Sequence, residues 1–210
     1  MAGAPALTAI RAATVAVVIV AIVAQGAVLV GEGAFNPTRF FAFFTIQSNL
    51  IGVAAFVLLL LHRRPGRPRW LESLRGAAAV YLTVTFFVVI FLLSGVDVQL
   101  QLGWVDFVLH KLFPVVFVAD YLLDPPRSKL TLRDAALWLV YPIVWVALTL
   151  VRGTIDGWYP YPFLDPANGG YGAVAVTVVA ITVGFLVISA IHVWLGNARR
   201  PHGPESRPAT

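Results

Sequence analysis

Thr45, Gln47, Ser48 and Asn49 crowd the first third of a run, 40–61, that is otherwise long and apolar enough to cross a bilayer. An unpartnered amide or hydroxyl in hydrocarbon costs roughly 2–7 kcal/mol, so these groups must face protein or a wet cavity. At about 100° per residue, Thr45, Ser48, Asn49 and Gly52 share one helix face. A threonine hydroxyl becomes a nucleophile only beside a base. The candidate base is His110, within VDFVLHKLFPVVFVADYLLD. Asp106 lies one turn before it and Pro114 one turn after, so all three share a face. Pro114 lacks an N–H, which removes the usual helical partner of the His110 carbonyl and predicts a kink beside the imidazole. Asp106 either orients His110 or sits wet at the interface.

The elements that must position these groups follow from composition. The chain has 210 residues, is 59% hydrophobic and only 12% charged. Its mean hydropathy is +0.84, more apolar surface than a soluble domain of this size could cover. Six apolar runs separated by polar breaks predict an all-α membrane protein with spans at about 12–30, 41–61, 76–94, 105–123, 135–151 and 171–195. The first run is longer than the apolar core of a secretory signal peptide and is read as a span. One six-span domain covers 1–196, and the tail 197–210 is expected to be disordered.

The net charge of +5 suggests nucleic acid until its distribution is followed. Arg11, the turn with Arg63, Arg64, Arg67, Arg69 and Arg75, the turn with Arg127, Lys129 and Arg133, and the tail with Arg199, Arg200 and Arg207 all fall on one side. The other side keeps Arg39 and Arg152 in its loops, with Lys111 just inside the fourth span. The positive-inside rule then puts both termini in the cytoplasm, and the basic excess reports topology, not nucleic acid. Trp104, Trp158, Tyr159 and Tyr161 are expected as anchors at the outer interface, and Trp70, Trp138 and Trp194 at the inner one. The outer loop 152–170, rich in Pro, Gly and aromatics, reads as a lid or as a stiff connector.

Spans two and four run the same way, and Thr45 and His110 each lie about five residues in, roughly 7 Å below the outer boundary. Equal depth is necessary for contact, though it does not make the helices neighbours. Other readings remain open for each residue. An intramembrane histidine can bridge helices or line a path, and a span threonine can bond its own helix. Asn49 and Gln47 can donate to an oxyanion and Arg152 can pair with a carboxylate or headgroup. The same groups also serve as interhelical hydrogen bonds or, for Arg152, as a solvated loop charge. Asp120 and Asp124 are expected to end a helix or pair with Arg127 or Arg133, and Lys111 to snorkel outward. With no cysteine and with His62, His192 and His202 at the inner edge or tail, no metal site is expected. There is no G-x-S-x-G, no H-E-x-x-H, and no phosphate or dinucleotide loop, so no cofactor is expected.

FFTIQSN (43–49), the H-x-x-x-P step with a later aspartate (His110, Pro114, Asp120) and GWYPYPFL (157–164) carry a family likeness. The chain resembles the androgen-induced-gene-1/androgen-dependent-TFPI-regulating-protein family, and more closely its bacterial six-span relatives. The resemblance implies a multi-pass protein of the plasma membrane. It also implies kinship with threonine hydrolases that act on fatty acid esters of hydroxy fatty acids, with Thr45 as nucleophile and His110 as essential histidine. IQSN after Thr45 belongs to the bacterial pattern, and where the eukaryotic members have more than one histidine this chain has only His110. Three function classes follow: a lipid-ester hydrolase taking a membrane lipid or fatty-acyl ester, a transporter of a small solute or lipid, and a non-catalytic lipid-binding or scaffold protein.

Overall fold

In the computed structural model, residues 4–62, 66–94 and 102–200 are described, and every regular element among them is helical. The elements are α1 (Ala4–Gly31), α2 (Pro37–Phe40), α3 (Phe44–Leu61), α4 (Arg69–Leu92), α5 (Gly103–Phe107), a π-helical turn (Val108–Leu112), α6 (Phe113–Leu123), α7 (Leu132–Asp156) and α8 (Gly170–Ala198). Five of them, α1, α3, α4, α7 and α8, are long and apolar enough to cross a membrane, the build of a helical membrane protein. The stretch expected as a fourth span is helical from Gly103 to Leu123, but the π turn divides it into shorter pieces.

The chain starts its second long helix later than its hydropathy implies. Asn36 caps the short α2 by accepting the Arg39 N–H at 3.1 Å, and Pro37 occupies the first turn, where its missing N–H costs nothing. The chain then turns through 41–43 before α3 begins, so Thr45 is the second residue of a helix and not the fifth. The first residue ahead of α3, Phe43, supplies no side-chain cap, and the first N–H groups of α3 need partners from elsewhere. At the far end of the chain, α8 continues to Ala198, past the start of the expected tail. There Asn197 donates to the Leu130 carbonyl and accepts the Leu130 N–H. Residues 201–210 of that tail, like Arg63, Arg64 and Arg207, lie outside the described residues.

α3 and α4 form the interior, and α4 touches α3, α6, α7 and α8. α1, α7 and α8 leave broad apolar faces exposed, including Val23, Leu148, Ile155 and Val176. Close approach of α3 to α6 depends on Gly52, where an added Cβ would come within 2.8 Å of the Phe113 ring. Beside it Phe56 stacks on Phe117, ring centres 4.4 Å apart.

The end of the bundle opposite Thr45 is tied by buried charge. Arg75, fully buried on α4, donates to Glu72 at 3.1 Å and to Asp120 at 3.2 Å. Arg11 on α1 reaches Asp120 at 2.7 Å and Asp124 at 2.6 Å. Arg67 grips both oxygens of Asp124, at 2.8 and 2.9 Å. Asp120 and Asp124 thus pair with arginines from α1, α4 and the segment before α4, not with Arg127 or Arg133 of their own turn. Burial of these ions is tolerable because three guanidinium groups face three carboxylates.

Arg75→Ala should therefore cost about 3–5 kcal/mol, because it leaves Glu72 and Asp120 short of a buried partner. Thermal unfolding in detergent reads this directly. Burial opposes ionisation of Asp124, but the Arg11 and Arg67 hydrogen bonds and the Arg67 and Arg75 charges outweigh it and hold its pKa down to about 2. Its stabilising contribution is complete above the ordinary value of 3.8 and is lost as pH falls through about 2. The wild-type melting temperature should drop across that acid window, and Asp124→Asn should flatten the drop.

Candidate functional site

The π turn is where two helices exchange unsatisfied groups. Phe113 N–H bonds the carbonyl of Val108, five residues back. The Leu109 carbonyl is thereby skipped, and the residue that would serve it in π register is Pro114, which has no N–H. Asn49 from α3 fills the gap, donating from Nδ2 to the Leu109 carbonyl at 3.2 Å and to the Thr45 carbonyl at 2.8 Å. The expected local kink is therefore a widened helical turn, with His110 at its centre.

That turn brings His110 against Thr45. Their side chains meet at 3.2 Å between Oγ1 and Nε2, and both are buried, 6% and 2% exposed. The other ring nitrogen of His110, Nδ1, lies 2.7 Å from Asp106 Oδ1. A carboxylate can only accept, so Nδ1 carries a hydrogen, and in the neutral imidazole Nε2 is left to accept. Thr45 then donates its hydroxyl hydrogen to Nε2. Asp106 itself is partly exposed, with Lys111 at 3.4 Å from its second oxygen.

Tyr161 completes the group. Its hydroxyl oxygen accepts the Thr45 N–H at 3.2 Å and lies 3.3 Å from Thr45 Oγ1. Since the threonine hydrogen is given to His110, Tyr161 is the donor to Thr45 Oγ1. Tyr161 was expected as an interfacial anchor, yet it is buried and points inward. The loop carrying it is shaped by Gly157 in the left-handed region, by Tyr159 packed on Gly153 with no room for a Cβ, and by two 3-10 turns at Pro162–Leu164 and Pro166–Asn168. Nothing in the one-dimensional pattern separates this tyrosine from Tyr159, two residues earlier.

Thr45 and Tyr161 both open on a cavity of about 210 Å³ between α3, α4, α7, α8 and the loop. Its walls are almost wholly apolar, formed by side chains such as Val84, Val88, Val146, Val178, Ile181 and Phe185. His110 and Asp106 do not line it, so Thr45 stands between the cavity and the imidazole.

The remaining candidates are placed elsewhere or spent. Ser48 donates to the Thr45 carbonyl at 3.0 Å and meets Thr85 at 3.1 Å. Gln47 donates to the Phe41 carbonyl and accepts from Tyr141. Arg152 holds Asp156, the Thr38 carbonyl and the Thr38 hydroxyl, beside the Trp158 ring. Neither Gln47 nor Arg152 lines the cavity. Both hydrogens of the Asn49 amide are taken by carbonyls, so it braces α3 against the π turn. Among the described residues no group of three or more potential metal ligands occurs. Asn49→Ala should cost about 1–3 kcal/mol by leaving the Leu109 carbonyl buried and unpaired, read as a lower melting temperature in detergent.

Asp106, His110, Thr45 and Tyr161 thus stand in one hydrogen-bonded series at the wall of an apolar cavity. No protein-family model, curated protein or solved structure matches the chain, and the site rests on its own geometry.

Proposed function

We propose that this chain is an integral-membrane hydrolase of lipid esters in which Thr45 is the nucleophile and His110 the general base. The observation that carries the reading is the run of contacts from Asp106 through His110 to Thr45, ending at an apolar cavity. Asp106 holds the imidazole in the tautomer whose Nε2 accepts a proton, the arrangement that makes a weak hydroxyl nucleophilic.

In the first step Thr45 Oγ1 bonds to the acyl carbon while its proton passes to Nε2. The carbonyl π pair moves onto oxygen. Collapse of the tetrahedral species breaks the ester C–O bond, and the departing alcohol takes the proton back from Nε2. Water, deprotonated by the same nitrogen, then adds to the acyl carbon, the C–Oγ1 bond breaks, and Nε2 returns the proton to Thr45 Oγ1 as a carboxylic acid leaves. This chemistry requires no cofactor. The apolar walls suit a hydrocarbon chain and offer no charge for a polar headgroup. The resemblance to threonine hydrolases of fatty acid esters of hydroxy fatty acids agrees with that substrate class.

The same reading takes Gly103–Leu123 as a sixth span, since about 30 Å of helix at 1.5 Å per residue matches a hydrocarbon core. The arginine-rich end then faces the cytoplasm and the Thr45 end the outer leaflet of the plasma membrane, from which a lipid ester reaches the cavity laterally.

Purified protein in detergent should react with a fluorophosphonate and hydrolyse long-chain esters. Thr45→Ala and His110→Ala should each abolish both activities, and Asp106→Asn should lower kcat about 10²–10⁴-fold. Turnover unchanged in both alanine variants rejects the mechanism. Solute or lipid flux in liposomes without any hydrolysis would point to a transporter instead.

A further inference from the structure

A nucleophile and base account for the proton of Thr45 but not for the negative charge that develops on the carbonyl oxygen. That charge needs a donor, in place before reaction, within reach of the former carbonyl oxygen, two bonds from Thr45 Oγ1. Side-chain donors on the cavity wall are few. Thr182 gives its hydrogen to the Val178 carbonyl at 2.8 Å. Thr85 is paired with Ser48, behind Thr45. The Asn49 amide is spent on two carbonyls, and Gln47 lies off the cavity. Tyr161 remains, with its oxygen 3.3 Å from the attacking atom.

We propose that Tyr161 is a catalytic residue, the hydroxyl donor that stabilises the oxyanion formed when Thr45 attacks a carbonyl. The inference rests on the hydrolase reading and adds to it a residue on the loop between α7 and α8. In the resting site the Tyr161 hydrogen points at Thr45 Oγ1. Once that oxygen bonds carbon, the new oxyanion is one bond further on, and rotation of the O–H alone redirects the hydrogen to it. No proton is transferred from Tyr161. The hydrogen bond forms as charge appears and relaxes when the ester bond breaks.

Three features hold the donor in place. The Tyr161 ring stacks on Phe163, centres 5.2 Å apart and 6° from parallel, and meets Phe43 edge-on at 5.7 Å. Its oxygen is pinned by the Thr45 N–H. It also sits over the uncapped first turn of α3, where helix N–H groups concentrate partial positive charge that favours an anion. Burial raises the Tyr161 pKa above its ordinary value, against the opposing hydrogen bonds to Thr45 and the Phe44 backbone, so the hydroxyl stays protonated.

The test is Tyr161→Phe, which keeps the ring and deletes only the hydroxyl. Detergent-purified wild type and variant are compared for ester hydrolysis, fluorophosphonate labelling, and inhibition by an alkyl trifluoromethyl ketone, which forms a tetrahedral adduct on the nucleophile. The variant should lose about 100-fold in kcat and label correspondingly more slowly. Its Ki for the ketone should rise by a similar factor, with KM within about threefold of wild type. A hydroxyl that only props the loop would lower the melting temperature and move KM and Ki together.

Thr45-dependent turnover in wild type with kcat unchanged in Tyr161→Phe overturns the tyrosine role and leaves the hydrolase standing. A variant that no longer folds assigns the hydroxyl to structure and likewise overturns it. Wild type showing neither labelling nor turnover removes both readings together.

Discussion

The contact on which the Thr45 end of the bundle depends is the bond from the Asn49 amide to the Leu109 carbonyl. A proline at 114 and a widened turn leave that carbonyl, on a fully buried residue, without any helical donor. The amide that answers it also bonds the Thr45 carbonyl one turn back in its own helix. One side chain therefore clamps the backbone of the hydroxyl to the backbone beside the imidazole. The 3.2 Å approach of Thr45 to His110 is a consequence of that clamp and of the small Gly52 that lets Phe113 pack against α3.

The two ends of the bundle solve the same problem with different chemistry. At the arginine-rich end, full charges are matched one for one, and the network ties α1, α4 and α6 through Arg11, Arg75 and Asp120. At the other end the hydrogen-bonded series through Thr45 contains one carboxylate, Asp106, which keeps partial exposure and a nearby lysine. A compensated ion cluster is rigid and inert, whereas a chain of neutral donors and acceptors can reorganise its hydrogens.

The loop between α7 and α8 has its own part in this division. Phe43, Trp145 and Phe163 surround Tyr161 with aromatic faces and edges, which pack this irregular segment against α3 and α7. Its hydroxyl meets the first turn of α3, whose missing side-chain cap would otherwise leave N–H groups unpaired. The same contact closes one side of the cavity over Thr45.

Hydropathy alone determined the helical, membrane-like architecture, because long apolar runs leave the backbone no alternative to pairing within itself. It also singled out Thr45 and His110, since a polar side chain in such a run requires a partner. Local pattern placed Asp106 correctly on the face of His110, four residues being one turn. What one dimension withheld were contacts between distant segments. Asp120 and Asp124 sit beside Arg127 in the chain but bond Arg11, Arg67 and Arg75, because burial selects partners by position in space. Tyr161 looks like any interfacial aromatic until the loop folds back on α3 and sets its hydroxyl above Thr45. The start of α3 was displaced by a cap at Asn36 that hydropathy cannot register. Residue types thus decided which groups had to be satisfied, and only tertiary packing decided by which neighbours, since hydrogen bonds are chosen by distance and direction and not by order along the chain.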